Sequence, residues 1–188
     1  MNIGKDAMLE TPRLCLRPLK DDDIGPWIAL FTDPDVMEYV GSSGPMSRER
    51  AERAFLAHRQ LLAARGYGWW AIDVKNGPSF AGVIVLDDFP LDAPFAPAIE
   101  VGWLLPRAQW GRGYATEGAR AALDYGFSVM NLNEIVSGAR APNVRSQRVM
   151  ERLGMTHDLL DDFDDPDTPD GPAKRVVLYR IKRSSLLS

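Results

Sequence analysis

The sequence is short of several things. A single cysteine, Cys15, among 188 residues excludes any intrachain disulfide. Two histidines and no His/Cys/Asp cluster leave no pattern suggestive of a metal site. No run of about 18 apolar residues occurs, so no segment reads as a membrane span, and the start, Met1-Asn2-Ile3-Gly4-Lys5-Asp6, has no apolar stretch of signal-peptide length. A cytoplasmic protein with no membrane partner is the expectation. Basic residues do not dominate either: 22 Lys and Arg against 26 Asp and Glu give a net charge of −4. That argues against general nucleic-acid binding, which needs a basic face to release counterions. Cys15 stands in the alternating Arg13-Leu14-Cys15-Leu16-Arg17, with no neighbouring base or helix end to activate a thiol, so it reads as a strand position.

What is present fits one domain over 1–188, since 45% hydrophobic residues are enough for one main core. An edge-like strand is expected at Leu14–Leu19. A short helix follows, with Ile24, Trp27, Ile28 and Phe31 on one side, interrupted at Asp33-Pro34. Ser47 caps a longer helix ending near Arg65. Trp70, Ile72 and Val74 alternate at the strand period, and Phe80–Leu86 is a second strand across the Lys75–Ser79 turn. Residues 87–97, with Pro90, Pro94 and Pro97, read as a loop. Ile99–Leu105 is a strand stopped by Pro106, and Thr116–Met130 a helix. Glu134–Ala139 is another strand, and Val144–Arg152 a helix between Asn143 and Gly154. The segment 161–173, acidic and proline-containing, reads as a solvated loop, and Arg175–Ile181 as the last strand. No internal repeat or interdomain linker is visible.

Chemistry concentrates in Ile99-Glu100-Val101-Gly102-Trp103-Leu104-Leu105, followed by Trp110-Gly111-Arg112-Gly113-Tyr114-Ala115-Thr116-Glu117. The order is strand, glycine turn, helix. Such a turn gathers backbone N–H groups at a positive helix end, which suits phosphate or pyrophosphate. A Walker A loop would need Gly-Lys-Ser/Thr, and a dinucleotide fingerprint would need glycine or alanine where Thr116 stands. A tight strand-to-helix connection without a ligand is the bland alternative.

Trp110 to Ala119 resembles the coenzyme A-binding turn of the GNAT superfamily of N-acetyltransferases, in the branch that includes the ribosomal-protein N-terminal (Rim-type) enzymes. Asn143 to Met155 is similar to that branch's Asn-x-x-Ser helix ending in Leu-Gly. Thr11-Pro12-Arg13-Leu14 and Leu178-Tyr179-Arg180 match as well, so the likeness covers about residues 11–181. The resemblance implies an α/β fold with a twisted mixed sheet, splayed between the Ile99–Leu105 and Glu134–Ala139 strands, and helices on both faces. It implies acetyl-CoA as cosubstrate and no metal. The pantetheine arm would follow Val101, Trp103, Leu104 and Leu105. The pyrophosphate would rest on amides of Gly111, Arg112, Gly113, Tyr114, Ala115 and Thr116, with Trp110 replacing the superfamily's usual Gln or Arg. Asn143 would bond pantetheine or hold the cleft, and Ser146 would face the thioester sulfur.

Acetyl transfer needs a neutral amine. At pH 7, deprotonating a lysine-like amine costs about 4.6 kcal/mol, and an α-amine about 1 kcal/mol. Glu100 is the expected general base, acting through water, or else a structural carboxylate. The superfamily's tyrosine acid is replaced by Met150, which leaves Ser146 as a possible acid beside its capping and positioning roles. His58 reads as a core histidine, and His157 stands near where the acceptor could enter, with acceptor binding as one reading. Trp69 and Trp70 read as core or rim aromatics. The acidic run 161–165 is a solvated loop or a lure for a cationic amine. The acceptor stays open between a protein N-terminus and a small-molecule amine, and the assembly between monomer and homodimer. A catalytically idle acyl-CoA-binding module is the competing function, and a nucleotide-binding domain a weaker one.

Overall fold

The computed structural model describes residues 8–41, 44–90 and 95–186. Among these the chain forms nine strands and five α-helices. In order they are β1 (Leu9–Glu10), β2 (Leu14–Arg17), α1 (Ile24–Thr32), α2 (Pro34–Met37), α3 (Arg48–Arg65), β3 (Trp69–Val74), β4 (Val83–Asp88) and β5 (Ile99–Leu104). Then come α4 (Tyr114–Ser128), β6 (Glu134–Arg140), α5 (Val144–Arg152), β7 (Thr156–His157), β8 (Phe163–Asp164) and β9 (Arg175–Lys182). The sheet runs β1-β2-β3-β4-β5-β6-β9-β7, with β8 also on β9. Every pairing is antiparallel except β5 with β6. That parallel contact holds a single registered pair, Glu100 with Val136, while β4 and β5 pair over six. The sheet therefore comes apart beyond Glu100, between the two strands expected to splay.

Two apolar layers lie on its opposite faces. Leu14, Leu16, Trp70, Ile72, Ile84, Leu86 and Val101 pack against α4 and α5 through Ala119, Ala122, Leu123 and Met150. Ala71 and Val83 face the other way, onto Trp27, Phe31 and Phe55 of α1 and α3. The alternation along β2 and β3 puts Leu14, Leu16, Trp70 and Ile72 together on the first of these faces.

Local signals account for the helix ends. The Ser47 hydroxyl accepts from the Arg50 amide at 3.2 Å, and Gly66, at φ 79°, closes α3 in the left-handed region. The Asp33 carboxylate caps α2 through the Asp35 amide at 2.8 Å. Three sequence expectations need adjustment. β2 is not an edge, because β1 pairs with it. β4 starts at Val83 rather than Phe80, since Phe80 has φ 56° and gives its amide to the Asp73 carboxylate at 3.0 Å. The acidic segment is not simply solvated. Asp165 is fully buried, Asp161 holds Arg180 at 2.6 and 3.0 Å, and Phe163–Asp164 forms a strand. Pro94, expected within a loop, lies outside the described residues.

Candidate active site

The splay opens into a cavity of about 990 Å³. It is lined by Trp103, Leu104 and Leu105 of the strand, by Trp110, Gly111, Gly113, Tyr114, Ala115 and Thr116 of the turn, and by Asn143 and Ser146 of α5. Val101, Arg112 and Glu100 lie outside that lining. The Val101 side chain is core, and the Arg112 guanidinium turns back to the Ala108 carbonyl at 3.2 Å.

The backbone of β5 shows where the sheet opens. The Ser137 hydroxyl of β6, buried, donates to the Val101 carbonyl at 2.8 Å. Val101 thus turns its polar groups toward β6, and by strand alternation Trp103 and Leu105 do the same. The Leu105 carbonyl accepts from the Trp110 indole at 2.7 Å. Between these closed positions, the N–H and C=O of Trp103 face the gap with no strand beside them.

The turn is built to expose amides. Gly111 and Gly113 have φ of 73° and 81°, conformations that a β-carbon would strain. The first intrahelical amide of α4 is that of Glu117, bonded to the Gly113 carbonyl at 3.0 Å, so those of Tyr114, Ala115 and Thr116 stay free at the helix's positive end. The turn is fastened from far away. Glu117 accepts from Thr11 Oγ1 at 2.7 Å, from the Arg13 amide at 2.9 Å and from Arg13 Nε at 2.6 Å, while Arg13 Nη1 reaches the Arg112 carbonyl at 2.9 Å. This network explains why Thr11-Pro12-Arg13-Leu14 and Glu117 belong to one pattern.

On α5 the Asn143 side chain caps the helix, accepting from the Ser146 amide at 3.2 Å. Ser146 lines the cavity, whereas Met150 is 1% exposed in the core beneath α4. Several lining residues were given no role by the sequence. Arg13, Arg120, Arg145, Arg148 and Arg152 surround the cavity, and Tyr39 enters from the segment after α2. Arg145, Arg148 and Arg152 share one side of α5 inside the Asn143–Met155 block, while Arg13, Arg120 and Tyr39 come from separate segments that only folding brings to them. The Arg145 guanidinium lies 4.2 Å over the Trp110 ring and 3.8 Å from Glu38, while Arg107 holds Asp35 at 2.6 Å. The α2 segment is thereby tied to both sides of the cavity mouth.

Glu100 projects from the opposite face of the same strand. Some of its surface is exposed, but its carboxyl lies amid dense protein without a hydrogen-bonding partner among the described residues. Burial, with Asp87 directly across on β4 adding repulsion, pushes its pKa up to about 8. His58 packs against Trp69 at 4.2 Å, and burial lowers its pKa, as a core histidine requires. Trp69 gives its indole N–H to Asp87 at 3.2 Å, and Trp70 is core. His157 is away from the cavity, bonded to Asp162 at 2.8 Å and stacked on Tyr179. Burial and the Glu10 carboxylate raise the Cys15 pKa, which makes a nucleophile of it unfavourable. No helix among the described residues is long and apolar enough to cross a membrane.

A splayed mixed sheet, an amide-lined turn and a cleft along the opened edge of β5 fit the class of coenzyme A-dependent acyltransferases. The model of the acetyltransferase (GNAT) domain matches residues 13–156. The chain belongs to this family and is an acetyl-CoA-dependent acetyltransferase. It is 34% identical over 151 residues to the uncharacterized protein YkkB of Bacillus subtilis strain 168, covering 78% of this chain and 84% of that one. Over 197 residues it is 30% identical to the FsC-acetyl coenzyme A-N(2)-transacetylase of Aspergillus fumigatus, covering 100% of this chain and 81% of that one. The crystal structure of an acetyltransferase from Agrobacterium tumefaciens C58 superposes with TM-score 0.74 at 31% identity, covering 94% of each chain.

Proposed function

We propose that the protein, as a single domain spanning the chain, moves the acetyl group of acetyl-CoA onto a primary amine by direct attack in a ternary complex. One observation carries this reading: β5 presents the unpaired backbone of Trp103 to the cavity on one side and the pKa-raised Glu100 on the other. The residues fit the cosubstrate. Free amides from Gly111 to Thr116 suit a pyrophosphate, the arginines around the cavity suit further phosphate charge, and Trp103 N–H and C=O suit pantetheine amides. When bound, the cosubstrate supplies an acetyl thioester.

The amine reaches the thioester from the Glu100 face. Its lone pair forms the C–N bond, the carbonyl collapses with loss of the C–S bond, and the nitrogen's proton passes through water to Glu100. A carboxylate of pKa about 8 is a far better base near neutrality than an ordinary glutamate. The thiolate takes a proton from water held by Ser146, or from the Ser146 hydroxyl as that hydroxyl takes one from water. The acceptor class is a protein N-terminus or a small-molecule amine; the Aspergillus relative is named an acetyl coenzyme A-N(2)-transacetylase. Thiol release over an amine panel tests the reading, read beside the melting shift caused by acetyl-CoA. A binding shift with no thiol release from any amine would favour an idle acyl-CoA-binding module, a reading supported by the burial of Met150, which leaves α5 without a phenol.

A further inference from the structure

The cavity runs on past the glycine turn as a groove between α4 and α5. The two helices begin at the same end of it. Arg145, in the first turn of α5, stacks over Trp110 beside the glycine turn, while Arg120 Nη2, further along α4, donates to the Arg152 carbonyl at 2.9 Å. Arg120, Ala121 and Asp124 line one wall of the groove, and Arg148, Val149 and Arg152 the other. At 1.5 Å per residue, Arg120 stands about 9 Å along α4 from Tyr114, well beyond the free amides that open the helix. Arg148 and Arg152 are four residues apart, a spacing that keeps both side chains on one side of α5.

The charges along this lining do not balance. Of its carboxylates, Glu10 is held by Lys75 at 2.6 Å and Glu117 by Arg13 at 2.6 Å. Of its arginines, Arg13 is thereby paired, and Arg145 lies 3.8 Å from Glu38. Arg120, Arg148 and Arg152 have no carboxylate in ion-pair contact among the described residues. Glu151, beside Arg152 in sequence, turns toward Tyr179 of β9 instead. Asp124 is the carboxylate left facing this end, and burial raises its pKa against the pull of Arg120. Three cations thus face one carboxylate in a chain whose net charge is −4. Like charges one helical turn apart repel, and an anion seated between them removes that cost.

The position of the surplus selects the anion. The amides of the glycine turn suit a pyrophosphate at the positive end of α4. Beyond its pyrophosphate, coenzyme A carries a ribose with a phosphate monoester at the 3′ oxygen, and a monoester holds a charge of about −1.5 to −2 at neutral pH. The fork of a guanidinium matches phosphate oxygens in pairs, which a backbone amide cannot do. We infer that Arg148 and Arg152 of α5, with Arg120 of α4, hold the 3′-phosphate of acetyl-CoA and make the protein selective for the 3′-phosphorylated thioester over its dephospho form. This rests on the reading of acetyl-CoA as cosubstrate and adds to the glycine turn a second anion site built from side chains.

The test titrates the full chain with coenzyme A and with dephospho-coenzyme A by isothermal calorimetry. The dephospho form keeps pantetheine and pyrophosphate and lacks only the 3′-phosphate. Coenzyme A is expected to bind about 10–100-fold more tightly, the worth of charged hydrogen bonds to one phosphate. That ratio should shrink as salt is added, because the three arginines are exposed. The double variant Arg148→Gln, Arg152→Gln is expected to bring the ratio toward one by weakening coenzyme A alone, while its affinity for the dephospho form stays at the wild-type value. Equal affinity of the wild type for the two ligands would overturn the inference, whether or not the variant folds. So would a folded double variant that keeps the wild-type ratio, or an equal fall of the ratio in Arg48→Gln, which removes an exposed cation from α3. Binding of neither ligand would instead remove the coenzyme A reading of the cavity, and this inference with it.

Discussion

Glu100→Gln should stabilise the protein, and more at pH 7 than at pH 5. A carboxyl titrating near 4.5 in the unfolded chain and about 8 in the fold holds its proton on folding. Stability is therefore unaffected well below the lower value and is lost as pH rises through the window between them. Worked through the linkage relation, that cost is about 1 kcal/mol at pH 5 and about 3 kcal/mol at pH 7. Solvent at the partly exposed residue screens some of it, leaving a difference of about 1–2 kcal/mol between the two conditions. Glutamine is neutral at both, so the cost of burying an unbonded polar group largely cancels in the comparison. For a chain of this size each kcal/mol moves Tm by about 2–4 °C, so the variant's advantage should widen by about 2–8 °C from pH 5 to pH 7. Thermal melts of both proteins at matched ionic strength read this directly. Melting curves that stay parallel from pH 5 to pH 8 would mean that Glu100 titrates normally, and the argument for it as a tuned base would fall.

The same variant should be slower by about 10²–10⁴-fold in kcat, with the wild-type advantage growing as pH rises toward 9, because only the ionised carboxylate accepts a proton; a ratio flat with pH would assign Glu100 a structural role. Gly113→Val should abolish the melting shift produced by acetyl-CoA and cost about 1–2 kcal/mol in stability, since φ there is 81°; isothermal titration giving wild-type affinity would displace the pyrophosphate from this turn. Ser146→Ala should slow single-turnover transfer while acetyl-CoA affinity stays near normal, and an unchanged rate would remove Ser146 from proton delivery. Met150→Tyr should lower Tm, because Met150 is packed in the core and a phenol there overfills it by about 1–3 kcal/mol; an unchanged Tm would show that α5 has room to turn.

The sequence was most legible where local chemistry decides the outcome. The bounds of α5 follow from the Asn143 amide oxygen at one end and Gly154 just beyond the other. The glycine turn was visible because only a few residue types tolerate its backbone. Rotation about a helix axis is another matter. Met150 matches a tyrosine by position in the motif, yet it follows Val149 by about 100° of turn, enough to take it from the cavity wall into the core. The acidic segment was opaque because its partners, Arg140 and Arg180, come from strands that pattern alone cannot place beside it. The same holds for Ser137, whose hydroxyl closes the β5–β6 contact and which looked like any polar strand residue.

The attachment of Glu117 to Thr11 and Arg13 makes the glycine turn a reporter on the rest of the sheet. These contacts close a loop of 106 and 104 residues, so the turn's geometry depends on β2 being docked, and β2 docks on β3. Any partial opening that frees the N-terminal strand also releases the turn. Acetyl-CoA bound there would protect the two ends of this long loop together, and amide exchange in β2 and at the start of α4 would slow in step.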